Sequence, residues 1–198
     1  MVSKVYGVVA GVGLLLLLMS QAHSSPPQVV PESRINIHFY DVSATSPDQL
    51  ARALAHSAPK IDGKAVLGKA SYQVDWQLET EQLPASCQLR RVTVMTQASI
   101  LLPRWIQSAG REDVTGQRWG RLLANMFDYE SRFKEMALQG ANQVGRSIAI
   151  LPDHRDCDAL RYAAWRVGSD ELTEIRRRMD AFQIRYDYGE ALGVHWPK

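Results

Sequence analysis

Between residues 35 and 42 apolar and polar positions alternate: Ile35, Ile37 and Phe39 fall on one face, Asn36, His38 and Tyr40 on the other. A period of two predicts a strand in a sheet with one face buried. Ser46-Pro47-Asp48 then offers a hydroxyl cap followed by proline at the first helical position, and Leu50, Ala53 and Leu54 recur at helical steps until Pro59 closes a short helix. Residues 60–69, with Gly63 and Gly68, read as a loop. Alternation returns over 70–80, where Tyr72, Val74, Trp76 and Leu78 share a face, and over 89–102, where Val92, Val94, Ala98 and Ile100 oppose Arg91, Thr93, Gln97 and Ser99. A turn around Pro84 separates these two runs and predicts an antiparallel hairpin. Pro103 is expected to end the second strand.

The period then changes. Over 111–150, Trp119, Leu122, Leu123, Met126, Phe133, Met136, Ala137 and Val144 recur at three- and four-residue steps, which predicts a long helix weakened by Gly116, Gly120, Gly140 and Gly145. From Asp158 a second long helix carries Leu160, Ala163, Ala164, Val167, Leu172, Ile175, Met179, Phe182 and Tyr186, with a bend expected at Gly168-Ser169-Asp170. Strand, helix, strands, helix, helix argues an α+β fold: a small antiparallel sheet of at least three strands with long helices packed on one face.

The first residues do not belong to that pattern. Lys4 precedes an uncharged apolar run of fifteen residues, 5–19, and Ala22-His23-Ser24 places small residues where a signal peptidase cleaves. The run is short for a membrane span, which needs about 20 residues. The expectation is a signal peptide over 1–24, a proline-containing linker over 25–34 and one domain over 35–198, in the periplasm or outside the cell. An uncleaved N-terminal membrane anchor is the alternative. In an exported chain, Cys87 and Cys157 read most simply as one disulfide, with two buried thiols as the bland alternative. The 198 residues carry a formal net charge of only +2, too small for a nucleic-acid partner.

Candidate chemistry is sparse. Of His23, His38, His56, His154 and His195, none stands at the i, i+2 or i, i+4 spacing of a metal pair, and no GxSxG elbow or phosphate loop is present. His154 with Asp153, Asp156 and Asp158 reads as a solvated turn with helix-capping acids. Arg176, Arg177 and Arg178, with Arg161, Arg166 and Arg185 nearby, are either a solvated helix face or a basic patch for phosphate or acidic lipid. The long helix also contains Tyr129-Glu130-Ser131-Arg132-Phe133. In a HExxH helix two His four residues apart hold zinc and the Glu between them activates the bound water. Here the Glu is present, while Tyr129 and Phe133 stand at the two ligand positions.

Several landmarks in order carry a family resemblance: Tyr40-Asp41-Val42-Ser43 with Leu50, Trp76, Cys87 ahead of Val92 and Val94, Leu102-Pro103-Arg104-Trp105, Glu130 with Ala137, Cys157-Asp158, and Tyr186-Asp187. On these the chain resembles the bacterial domain of unknown function nine-hundred-twenty-two family, described as secreted zinc-dependent proteases. The resemblance implies a zincin-like minimal architecture with Glu130 as the base, and a further His after the late Tyr-Asp pair. This chain departs from that pattern at Tyr129 and Phe133, and its next His is His195. A Phe has no donor atom, a Tyr phenol stays protonated near neutral pH, and a zinc site needs about three protein ligands. The expectation is therefore a chain without zinc or any other cofactor and without proteolysis, in which Tyr129 and Phe133 pack together and Glu130 is a surface or cleft carboxylate beside Arg132 or Lys134. Its expected role is binding an envelope protein or peptide. The alternatives are a hydrolase that uses Glu130 with His195 or His154, and a structural envelope protein that works through the arginine run.

Overall fold

A computed structural model describes residues 25–61, 63–106 and 114–196. The expected signal peptide, 1–24, lies outside the described residues. The elements run β1 (Gln28–Val42), α1 (Pro47–Ser57), the short β2 (Lys60–Ile61) and β3 (Lys64–Ala65), β4 (Lys69–Gln82), β5 (Cys87–Trp105), α2 (Val114–Ala149), α3 (Cys157–Arg185) and a 3-10 segment, Asp187–Leu192. The class is α+β. A three-stranded sheet, ordered β1-β5-β4, carries the long helices on one face, and β2-β3 forms a separate two-stranded ribbon.

Within that class the sheet is mixed rather than antiparallel. β4 and β5 form the expected hairpin, but β1 runs parallel to β5. The connection explains it. Val42 ends beside Trp105 and Lys69 begins beside Leu101, so the chain between them stays at one end of the sheet, β4 runs back, and β5 returns into the gap alongside β1. The linker expected over 25–34 is shorter, because pairing with β5 starts at Gln28 and draws Pro31 into the strand. An edge strand tolerates proline, since half of its backbone donors have no ladder partner to lose. Pro103 does not end β5 for a similar reason. Pairing with β4 stops at Leu101, so Pro103 has a neighbour strand on one side only.

α1 starts as the sequence dictates, with Ser46 accepting from the Gln49 N–H and Pro47 in the first turn. α2 and α3 are each continuous through their glycines. Gly140, Gly145 and Gly168 are sites of close approach, whereas Gly120 faces open space. A Cβ on Gly140 would lie 2.4 Å from Ile175 of α3, and one on Gly145 would lie 2.7 Å from Val29 and 3.0 Å from Val94 of the sheet. The core lies between the sheet and this helix pair, with Val92, Val94, Ile100, Leu122, Met126, Val144, Ile148, Leu160 and Ile175 almost wholly buried. The Cys87–Cys157 disulfide joins the start of β5 to the start of α3 across 70 residues of sequence. No helix of the described residues is long and apolar enough to cross a membrane.

Candidate functional site

The middle of α2 is buried on two adjoining strips. Tyr129 and Phe133, four residues apart, project from one turn to the next and meet edge-on with ring centroids 5.4 Å apart. Phe182 of α3 stacks on Tyr129 at 5.5 Å and meets Phe133 edge-on at 5.2 Å, and Tyr186 packs on Phe182 at 4.7 Å. Four rings, from α2, α3 and the residue that caps α3, thus form one cluster. Buried aromatic clusters of this kind gain about 0.5–1.5 kcal/mol per pair beyond the area they bury.

Glu130 departs from the surface or cleft carboxylate expected for it: it is 2 % exposed. One step round the helix from Tyr129, its carboxyl lies under the chain entering β4. Its Oε1 and Met126 Cε would each sit 2.9 Å from a Cβ on Gly68, and it accepts a hydrogen bond from the Ala70 backbone N–H. Desolvation pushes its pKa up to about 7, and the Ala70 N–H pulls only part of the way back. Arg132 is turned away and pairs with Asp128 at 3.0 Å. Among the described residues the Tyr129 hydroxyl, which is buried, has no hydrogen-bond partner. Burial, then the charges of Glu130 and Tyr188, push its ionisation well above the ordinary phenol range.

The residues after α3 close this region. Asp187, Tyr188 and Gly189 have φ of 46°, 54° and 97°, three left-handed residues in succession. The turn they make brings Gly189 against Val194 and the Tyr129 ring. Lys64 anchors the turn, pairing with Asp187 at 2.5 Å and Glu190 at 3.8 Å and lying 5.1 Å from the centre of the Tyr188 ring. Beside it opens a cleft of about 230 Å³ lined by Leu54, Lys64, Leu67, Tyr188, His195 and Trp196, among others. His195 is exposed on this cleft.

The other candidates lie apart. His154 is held by its backbone, which exchanges two hydrogen bonds with Cys87, and its ring faces the Pro152 carbonyl at 2.8 Å. Asp156 caps α3 by accepting from the Ala159 N–H at 2.7 Å, which holds its carboxyl below the ordinary range. The arginine run divides: Arg177 and Arg178 pair with Glu174, whereas Arg176 bonds the Tyr72 phenol across the sheet edge. Among the described residues no three His, Cys, Asp or Glu side chains gather as a metal-holding group. Zinc does not fit the α2 positions either: Phe133 offers no donor, and the Tyr129 phenol resists the ionisation that metal binding requires.

Two of the family landmarks, Tyr40-Asp41-Val42-Ser43 and Leu102-Pro103-Arg104-Trp105, lie side by side at one end of the sheet. Tyr40, Asp41 and Val42 are the register partners of Pro103, Arg104 and Trp105. Arg104 pairs with Asp41 at 2.7 Å, and the Trp105 indole donates to the Ala44 carbonyl at 2.9 Å. The Tyr40 hydroxyl donates to the Leu67 carbonyl at 2.8 Å, one residue from the Gly68 that covers Glu130. Gly68, Ala70 and Phe182 were no part of the expected site. The only sequence signal for Gly68 is a glycine just before a strand, and for Phe182 its place on the apolar stripe of the last helix.

These features define a domain in which two long helices cover one face of a mixed sheet around a buried glutamate. The pattern of the family described as bacterial protein of unknown function, DUF922, matches residues 37–190, and the chain belongs to that family. No curated protein and no solved structure matches it.

Proposed function

We propose that this chain is an exported, non-catalytic member of its family that has lost zinc and works in the cell envelope by binding a peptide or protein. The observation that carries the reading is the ring cluster at the helix positions where zinc proteases hold their metal. Tyr129 and Phe133 interlock there with Phe182 and Tyr186. Glu130, the residue that would act as base, is 2 % exposed and spends its carboxyl on the Ala70 N–H. A general base must reach the proton it abstracts, and Glu130 lies behind Gly68. The signal-like N-terminus and the disulfide support export, because disulfides persist in oxidising compartments. The cleft beside Tyr188, apolar with a charged rim, is the surface we assign to the partner.

The test is direct. The full chain is produced through an oxidising export route, its metal content measured by elemental analysis, and casein offered as substrate. No bound zinc and no cleavage is the expected result. Stoichiometric zinc that disappears on Glu130→Gln or His195→Ala would overturn the proposal.

A further inference from the structure

Among the described residues β4 is an edge strand, bonded only to β5. Ala70 gives the phase of its backbone: the Ala70 N–H donates to Glu130 and so points away from β5. In an antiparallel strand a residue's N–H and C=O lie on one side, and the side alternates from residue to residue. Tyr72, Val74 and Trp76 therefore also present both groups to the open edge. Their side chains lie on the helix side, where Val74 is buried and the Trp76 indole sits within 2.5 Å of where a Cβ on Gly168 of α3 would be. Lys69, Ser71, Gln73, Asp75, Gln77 and Glu79 are exposed on the opposite side. An open groove of about 550 Å³ follows this edge. One of its walls is formed by the consecutive residues 72–76, the other by Trp165, Ser169, Leu172 and Arg176 of α3, with Trp165 58 % exposed. Edge strands are ordinarily blunted by proline, bulges or lysines. β1, the other edge, carries Pro31. β4 has no proline, its one lysine stands at its first position, and its bulge falls after Glu79.

We infer that this edge pairs with β4 of a second copy of this chain, antiparallel about a two-fold axis at Val74, so that the two sheets become one. Val74 is the midpoint of residues 69–79, the straight stretch that ends at the bulge. The axis sets Tyr72 opposite the partner's Trp76 and brings their outward backbone groups into hydrogen-bonding register. On the exposed side it sets Lys69 opposite the partner's Glu79, Ser71 opposite the partner's Gln77 and Gln73 opposite the partner's Asp75, each twice by symmetry. Opposite charges meet at both ends and no like charges face each other, which favours cross-strand pairing. Glu79 is already held on this side by Arg91 at 2.8 Å. Other axes fit less well. One at Trp76 sets Glu79 opposite Gln73 and leaves Lys69 without an acid, and one at Tyr72 shortens the contact to residues 69–75. An isologous contact requires a strand that complements its own reverse. A foreign peptide strand could use the same backbone groups, but it sets no such requirement on β4. Neither the ring cluster nor the cleft beside Tyr188 takes part, so this contact stands or falls apart from the proposed function.

The test measures the mass of the exported full-length protein by sedimentation equilibrium. A dimer with a dissociation constant on the order of 1–10 µM is expected. Lys69→Glu and Glu79→Lys change exposed side chains and each set like charges opposite one another. Each is expected to weaken the dimer about tenfold or more at low salt. An equimolar mixture of the two variants is expected to dimerise again, because both ends of the mixed dimer carry opposite charges. The register is read separately with Gln73→Cys and Asp75→Cys. Directly opposed residues of this kind lie within disulfide distance, so the two variants mixed and oxidised should cross-link, and faster than either alone. The proposal is overturned if the parent stays monomeric at about 0.5 mM, which would leave the edge to a foreign strand. It is also overturned if both charge variants dimerise as well as the parent, or if the mixed cysteine variants cross-link no faster than each by itself.

Discussion

The backbone N–H of Ala70 donates a hydrogen bond to the Glu130 carboxyl, joining the middle of α2 to the first turn of pairing in β4. This bond satisfies part of the carboxyl but does not compensate its burial, which sets the group's titration and the first prediction.

Glu130 has a pKa of about 7 in the folded protein against an ordinary 4.5. The folded state therefore binds this proton more tightly than the unfolded chain does, so stability falls as pH rises from about 4.5 to about 7 and changes no further above that. The span corresponds to roughly 3 kcal/mol. Glu130→Gln keeps an acceptor for Ala70 and removes the charge. Urea unfolding across pH 4 to 8 should show the variant gaining on the parent by about that amount, with the gain confined to this window. A difference that stays level across the range would mean that Glu130 is hydrated and not buried.

Next to it, the Tyr129 hydroxyl is enclosed with no partner among the described residues. Tyr129→Phe removes an unsatisfied polar group while keeping the ring contacts with Phe133 and Phe182. The variant should be as stable as the parent or more so, by about 1 kcal/mol. A loss of more than about 1 kcal/mol in the same urea experiment would show that the hydroxyl is paired.

How much of this was legible in the sequence depended on how local each feature is. The faces Tyr72-Val74-Trp76-Leu78 and Val92-Val94-Ala98-Ile100 could be read because alternation is a property of neighbours, and both do face the helices. The pairing of Cys87 with Cys157 was legible because each had one possible partner. The direction of β1 was not, since it follows from where β5 inserts, with partners such as Asp41 and Arg104 lying 63 residues apart. Pro31 and Pro103 were misread for the same reason: a proline stops a strand only where a neighbour needs its missing N–H. At the site, the interlocking of Tyr129 with Phe133 followed from helical spacing. The burial of Glu130 did not, because its cover, Gly68 and Ala70, comes from a segment 60 residues earlier whose return to α2 leaves no periodic trace.

The disulfide anchors the start of α3 to β5. Removing it by Cys87→Ala with Cys157→Ala, or by reduction, frees a loop of 70 residues in the unfolded chain. The expected cost is about 2–4 kcal/mol, seen as a lower denaturant midpoint in reductant than without it. Two alkylatable thiols in the unreduced, denatured protein would refute the bridge itself.

Gly140 and Ile175 report on how closely α2 and α3 pack. A Cβ on Gly140 would fall 2.4 Å from Ile175 Cδ1 and 2.5 Å from its Cγ1, closer than any real contact, and Ile175 is itself 1 % exposed with little room to move. In an isolated helix Gly140→Ala would gain about 1 kcal/mol from helix propensity. Here overpacking opposes that gain, and the net effect should be a loss of about 1–3 kcal/mol. The double change Gly140→Ala with Ile175→Val removes Cδ1, the atom nearest the new methyl, and should recover part of the loss. A double-mutant cycle by urea unfolding then gives a coupling energy of about 1 kcal/mol or more. If Gly140→Ala instead stabilises the protein, the two helices are farther apart at this point than the packing of Ile175 requires.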